Sequence, residues 1–270
     1  LSEVPDIKSF SEEFIGLDKS DNYSGYYRTD KEGVSFIVTA SKKDKLEPYV
    51  WCYPIIGKAP YKSFFDKKQA LDLSEELKSE GYDPFIFPAT AYSTLGWFKD
   101  PVVTPMLQGS LYDLAWVVIH ELTHGTMFVN NDVEFNEQLA SVVGDKGAEQ
   151  YLKLSGRYTG KLAEDIAVAK EKNHRFEEVV SKYTRQLESL YACESCDVLS
   201  WREDIFDDLE EDVKQIYPGR NIEFNNARLL NYTRYSSDSD YLNRLWDESG
   251  GEWKKFWVLV RDYAALKRFK

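Results

Sequence analysis

The stretch from Ser110 to Gly147 reads SLYDLAWVVIHELTHGTMFVNNDVEFNEQLASVVGDKG and holds two of the three histidines in the chain. Within it, His120-Glu121-Leu122-Thr123-His124 is an H-E-x-x-H motif. On a helix, histidines four residues apart stand one turn above the other, so both imidazoles can converge on one metal ion while Glu121 projects beside them. These residue types at this spacing point to the chemistry of a zinc hydrolase.

The surrounding residues favour that helix. Ser110 followed by Asp113 reads as a capping box, and no proline or glycine interrupts the run before Gly125. At about 100° per residue, Asp113, Trp116, Val117, His120, His124 and Met127 share one face. Leu114, Ala115, Val118, Ile119 and Leu122 cover most of the rest, so the helix is expected to be buried. Two imidazoles in such a setting are costly unless hydrogen bonds or a metal satisfy them.

Catalytic zinc takes three protein ligands and keeps a fourth position for water, so one ligand is missing. Asp132 reads as the N-cap of a second helix, Val133 to about Tyr151, entered through Asn130-Asn131. Phe135, Leu139, Val142 and Val143 form its apolar stripe. Glu134 shares its azimuth with Gln138, Ser141 and Asp145, a side expected to be solvated. Glu137 lies among Val133, Ala140 and Gly144, the small-residue side that a closely packed neighbour helix would meet. The expected ligands of a zinc ion (Zn2+) are therefore His120, His124 and Glu137.

H-E-L-T-H followed by Phe135-Asn136-Glu137 resembles the gluzincin metallopeptidases, in which two histidines come from one helix and a glutamate, often preceded by asparagine, from the next. PIIGKAPYKSFFD (54–66), GYDPFIFPATAYSTLGWFKDP (81–101), IHELTHGTMFVNNDVEFNEQLA (119–140) and NNARLLNYTRY (225–235) together resemble a bacterial family of predicted zinc aminopeptidases, over nearly the whole chain. The resemblance implies a peptide substrate. It also implies an α+β, zincin-like fold with a small N-terminal sheet, active-site helices and a mainly helical C-terminal half. Residues 1–270 are expected to form one catalytic domain: an α+β lobe to residue 109, the metal-binding helix pair over 110–152, and a helical lobe over 153–270. Members of that family often carry a secretion or lipoprotein signal, so a bacterial envelope location, with membrane attachment through a missing N-terminal segment, is expected.

The whole chain is consistent with this. It has 270 residues, enough for a sizeable core, and a net charge of −12, which argues against nucleic acid or an anionic membrane surface as partner. It opens on Leu1, as a trimmed chain or mature product would. Cys52, Cys193 and Cys196 are odd in number, and the isolated C-x-x-C reads as a local disulfide or two free thiols.

Ser9–Ile15 reads as a short helix. Val34–Ala40 is a strand with Tyr49–Tyr53 as its expected partner across a charged turn, and Pro84–Phe87 is a further strand. Asp66–Ser79 is an amphipathic helix. Leu162–Tyr191 is a long one with a break expected near Asn173, and Trp201–Tyr217, Asn225–Tyr235 and Trp253–Phe269 follow. His174 belongs to the solvated face of the long helix.

The expected mechanism is metal-assisted hydrolysis with Glu121 as general base and then proton donor to the leaving amine. By analogy with zinc peptidases, Ala91–Pro101 is the candidate substrate strand, Gly96 allowing close backbone approach and Trp97 and Phe98 walling a pocket. Tyr235, with Tyr232 behind it, is the candidate oxyanion donor because both belong to a family-like segment. Asp100 is the nearest carboxylate to consider for an ammonium terminus. The competing class is a non-catalytic envelope or interaction protein that retains a zinc-binding core; Glu121 would serve no purpose there.

Overall fold

A computed structural model describes residues 1–29, 33–54, 57–89, 99–236 and 239–267. In chain order the elements are α1 (Val4–Phe10), a π-helical turn (Ser11–Ile15), β1 (Tyr26–Tyr27), β2 (Ser35–Lys42), β3 (Trp51–Tyr53), β4 (Gly57–Ala59), β5 (Lys62–Phe64), α2 (Lys67–Ser79), β6 (Tyr82–Ala89), β7 (Val102–Val103), a 3-10 turn (Thr104–Leu107), α3 (Leu111–Thr126), α4 (Val133–Leu154), α5 (Gly160–Tyr191), α6 (Val198–Ile216), α7 (Asn226–Ser236), α8 (Ser239–Glu248) and α9 (Trp253–Lys267). The chain divides into two compact units that interleave along the sequence. Among the described residues no helix is long and apolar enough to cross a membrane.

The first unit takes residues 1–34, 89–162 and 237–270. Helices α3 and α4 form its centre. Gly147 permits their contact with the N-terminal helical segment: a Cβ there would lie 2.7 Å from Ile15 Cδ1 and 3.0 Å from Ile119 Cδ1. The C-terminal helices close the other side, where Trp257 Nε1 donates to the Ile15 carbonyl (2.9 Å) and Trp253 Nε1 to Gln150 (2.7 Å). β1 and β7 pair in parallel, Tyr26 opposite Val102.

The second unit takes residues 35–88 and 163–236. Its three-stranded sheet has the order β5-β2-β6, with β2 and β5 antiparallel and Phe36 opposite Phe64. Phe36, Val38 and Ala40 alternate onto Ala70 and Leu77 of α2. The expected pairing of Tyr49–Tyr53 with β2 forms only at its start, where the Tyr49 N–H donates to the Ala40 carbonyl (2.8 Å). Ser41 and Pro48 make an isolated bridge, and Trp51–Tyr53 turns instead to Gly57–Ala59. β5 and β6 flank β2 on its two sides.

Helix α5 runs unbroken through Asn173, whose side chain accepts from Tyr217 OH (3.1 Å). It packs through Val180, Tyr183 and Leu187 against Phe206, Leu209 and Val213 of α6 and Leu229 of α7. Helix α8 was not anticipated. Cys193 and Cys196 form a disulfide in the α5–α6 connection, and Cys52 is free and exposed.

The Asn225-Asn226 pair of the family-like segment has a structural office in this unit. Asn226, fully buried, donates to the Lys42 carbonyl (2.8 Å) and accepts from Tyr191 OH (2.7 Å), while Asn225 donates to the Pro84 carbonyl (2.9 Å). Buried Arg202 completes the network through Asp83 (2.6 Å). The side-chain amides of both asparagines and the Asp83 carboxylate are partnered in this way, which is what makes their burial tolerable.

Candidate metal centre

The centre is built from α3 and α4. Ser110 caps α3 as expected: Ser110 Oγ accepts from the Asp113 N–H (3.2 Å) and the Asp113 carboxylate accepts from the Ser110 N–H (2.7 Å). The apolar residues around the helix are buried, and His120 and His124 are buried with them, at 5 % and 8 % exposure. Their rings meet edge to face at 4.9 Å, with the two Nε2 atoms 3.2 Å apart.

The chain then reverses through Asn131 in the left-handed region (φ 66°), and Asp132 caps α4 by accepting from the Phe135 N–H (3.1 Å). Asn136, missed by the sequence reading, fixes this connection. Its buried side chain accepts from the Val129 N–H (2.8 Å) and donates to the Val129 carbonyl (2.9 Å). A backbone pair satisfied in this way ties the loop to the first turn of α4 and so sets where Glu137, the next residue, projects.

Glu137 Oε2 lies 3.5 Å from His120 Nε2 and Oε1 lies 3.8 Å from His124 Nε2. These three side chains could hold a metal ion, their donor atoms all falling within 4.8 Å of one another. Glu134 is outside the cluster and accepts from Gln138 Nε2 (3.2 Å). The side it shares with Gln138 is less solvated than expected, because Gln138 is only 2 % exposed. Small residues do line the Glu137 side: a Cβ on Gly144 would lie 3.2 Å from the Trp116 carbonyl oxygen.

The donor set fits a cation. Two imidazoles and a carboxylate whose donor atoms converge in a largely buried setting give the N,N,O donor set that zinc takes. The histidine Nδ1 atoms are buried and have no hydrogen-bond partner among the described residues.

The protonation states follow from burial and charge. Burial pushes His124 down to about 4, against the attraction of Glu137. For His120 burial acts in the same direction, but the hydrogen bond to Glu137 and the charges of Glu121 and Glu137 outweigh it and hold the group above the ordinary histidine value. Glu121, partly buried beside them, is pushed up to about 7, first by desolvation and then by the negative charges of Glu137 and Asp100, with His120 opposing. A carboxyl poised near neutrality beside a metal-ligand cluster is suited to take and return a proton.

Gly96, Trp97 and Phe98 lie outside the described residues, and Tyr235 belongs to α7 without a described side chain. Tyr232 packs against Phe176, at a ring separation of 4.9 Å, in the helical core of the second unit. Asp100 is buried in the first unit, 2 % exposed, where its backbone bonds Asn22 and Tyr23. His174 is on the surface near Glu178.

Among known proteins, the family model described as "Putative aminopeptidase" matches residues 1–270. No curated protein and no solved structure matches the chain.

Proposed function

The chain belongs to this aminopeptidase family along its whole length, and from that premise we propose that it is a zinc-dependent metallopeptidase of zincin-like fold that releases residues from the free N-terminus of peptides. The observation that carries the reading is the convergence of His120, His124 and Glu137 from two adjacent helices. When bound, zinc supplies Lewis-acid polarisation of water and of the scissile carbonyl.

The chain's own residues do the rest. His120, His124 and Glu137 hold the ion. Glu121, next to His120 but about 100° around the helix, accepts the proton of the attacking water and returns it to the leaving amine. Its raised affinity for a proton suits both halves of that exchange. Asp100, buried and within electrostatic reach of Glu121, is the carboxylate we assign to the substrate ammonium group. Tyr235 as oxyanion donor and Gly96, Trp97 and Phe98 as substrate contacts rest on the family-like segments alone. An envelope location likewise rests on the resemblance.

One experiment tests the reading: metal content of the purified protein together with hydrolysis of matched peptides with free and acetylated N-termini. Stoichiometric zinc and turnover of the free peptides only are expected. Zinc without turnover of any peptide would mean a metal-stabilised binding protein instead.

A further inference from the structure

We propose that Trp116 is a positioning residue for the metal centre: its indole, laid over His120, holds that imidazole in the orientation that a hydrogen bond to Nδ1 would ordinarily impose. The inference rests on the metal-binding reading above. A metal-ligating histidine normally donates its second ring N–H to a carboxylate, carbonyl or water, which fixes both tautomer and ring direction. His120 Nδ1 is buried and has no such partner among the described residues. What the ring has instead is an aromatic face, with the Trp116 and His120 centroids 4.7 Å apart and their planes inclined by 32°. An offset aromatic contact of this kind is directional and favours one ring orientation over others.

The contact belongs to a ladder. Trp116, His120 and His124 stand at successive four-residue steps on one face of α3, the indole against the first imidazole and the first imidazole edge-to-face with the second at 4.9 Å. Orientation imposed on His120 is thereby passed to His124, whose Nδ1 also has no hydrogen-bond partner among the described residues. The indole is held in turn by α4. Gly144 presents bare backbone to it, and a Cβ at that position would lie 3.2 Å from Trp116 Nε1 and 3.3 Å from Cδ1. Gly144 is two helical turns beyond Glu137, so one side of α4 supplies the carboxylate ligand and seats the residue that orients the histidines.

The test compares the parent protein with Trp116→Phe and Trp116→Leu, measuring zinc affinity by competition with a chromophoric chelator and the melting temperature of the metal-free forms. Trp116→Leu removes the aromatic face and is expected to weaken zinc by about tenfold. Trp116→Phe keeps a face and is expected to stay within about threefold of the parent. A merely structural role would lower the melting temperature of both and leave the affinities together.

A second measurement needs no variant. The His120 ring protons of the metal-free parent should be displaced upfield by the indole relative to those of His174, which is on the surface. Unchanged zinc affinity in Trp116→Leu, or His120 ring protons resonating with those of His174, overturns the proposal. If Trp116→Leu does not fold, the ring-proton shift alone decides. If the parent binds no zinc, the metal-centre reading fails by itself, and the ring shift still reports on the stacking.

Discussion

Gly144 of α4 and the carbonyl oxygen of Trp116 in α3 are so placed that a single added carbon would bring them to 3.2 Å, so the two helices carrying His120, His124 and Glu137 meet with bare backbone at their contact. That closeness is what lets a glutamate on one helix reach two histidines on the other.

Gly144→Val should therefore do more damage than an ordinary glycine replacement within a helix. The branched side chain must push against the Trp116 backbone, which cannot rotate away, and overpacking of this kind costs about 1–3 kcal/mol. Chemical denaturation should show that loss, with zinc affinity falling alongside it because Glu137 is carried outward. A variant as stable and as tightly zinc-bound as the parent would contradict the packing described here.

Replacing either His120 or His124 with alanine should abolish stoichiometric zinc binding, since two remaining protein ligands rarely hold the ion. Metal analysis after dialysis against a mild chelator checks this. Full occupancy in either variant would remove that histidine from the ligand set.

Glu137→Gln and Glu134→Gln form a matched pair. Only Glu137 approaches the histidine Nε2 atoms, so its replacement should weaken zinc strongly while Glu134→Gln leaves affinity near the parent value. The opposite order in a zinc titration would place the third ligand on the other side of α4.

Glu121→Gln separates catalysis from scaffold. It should keep zinc and lose hydrolysis by about 10²- to 10⁴-fold, the range for a general acid–base residue. It should also change stability with a particular sign. The folded-state value of about 7 lies above the ordinary carboxyl value, so this group's contribution is fully present in acid and is lost as pH rises through about 7. Metal-free Glu121→Gln escapes that loss. It should be more stable than the metal-free parent at pH 8, by on the order of 1 kcal/mol after allowance for partial exposure, and equal to it near pH 4. Parent and variant melting curves that run parallel across this range would falsify the assignment of Glu121 as a carboxyl held against its charge.

Zinc affinity itself should depend on pH. His120 holds its proton more firmly than an ordinary histidine, and ligation must displace that proton. Affinity should then fall by about tenfold for each unit of acidification once His120 is protonated, with the fall beginning above the usual histidine range. Competition titrations at several pH values read this directly, and a flat profile between pH 8 and pH 5.5 would mean that no imidazole proton competes with the ion.

Much of the candidate site was legible because its determinants are local. The capping box of Ser110 and Asp113, the four-residue spacing of His120 and His124, and the cap at Asp132 each act within one or two helical turns, and the structure carries all of them. The choice of Glu137 over Glu134 came from helical phase, which depends only on position along α4. The identity of Gln138 could not show that it would be buried.

What the tertiary structure alone decided is everything that depends on which distant segments meet. Strand periodicity identified β2 but could not say that β5 would pair with it while Trp51–Tyr53 turned to Gly57–Ala59. Helix α8 has only Leu242, Leu245 and Trp246 as large aliphatic or indole side chains, and its amphipathic pattern acquires meaning from the buried positions that Leu242 and Trp246 fill. The roles of Asn136, Gly144 and Trp116 likewise rest on contacts across the α3–α4 junction. Sequence periodicity reports the faces of one element at a time, whereas pairing, interhelical distance and the interleaving of the two units are set by burial shared between residues far apart in the chain.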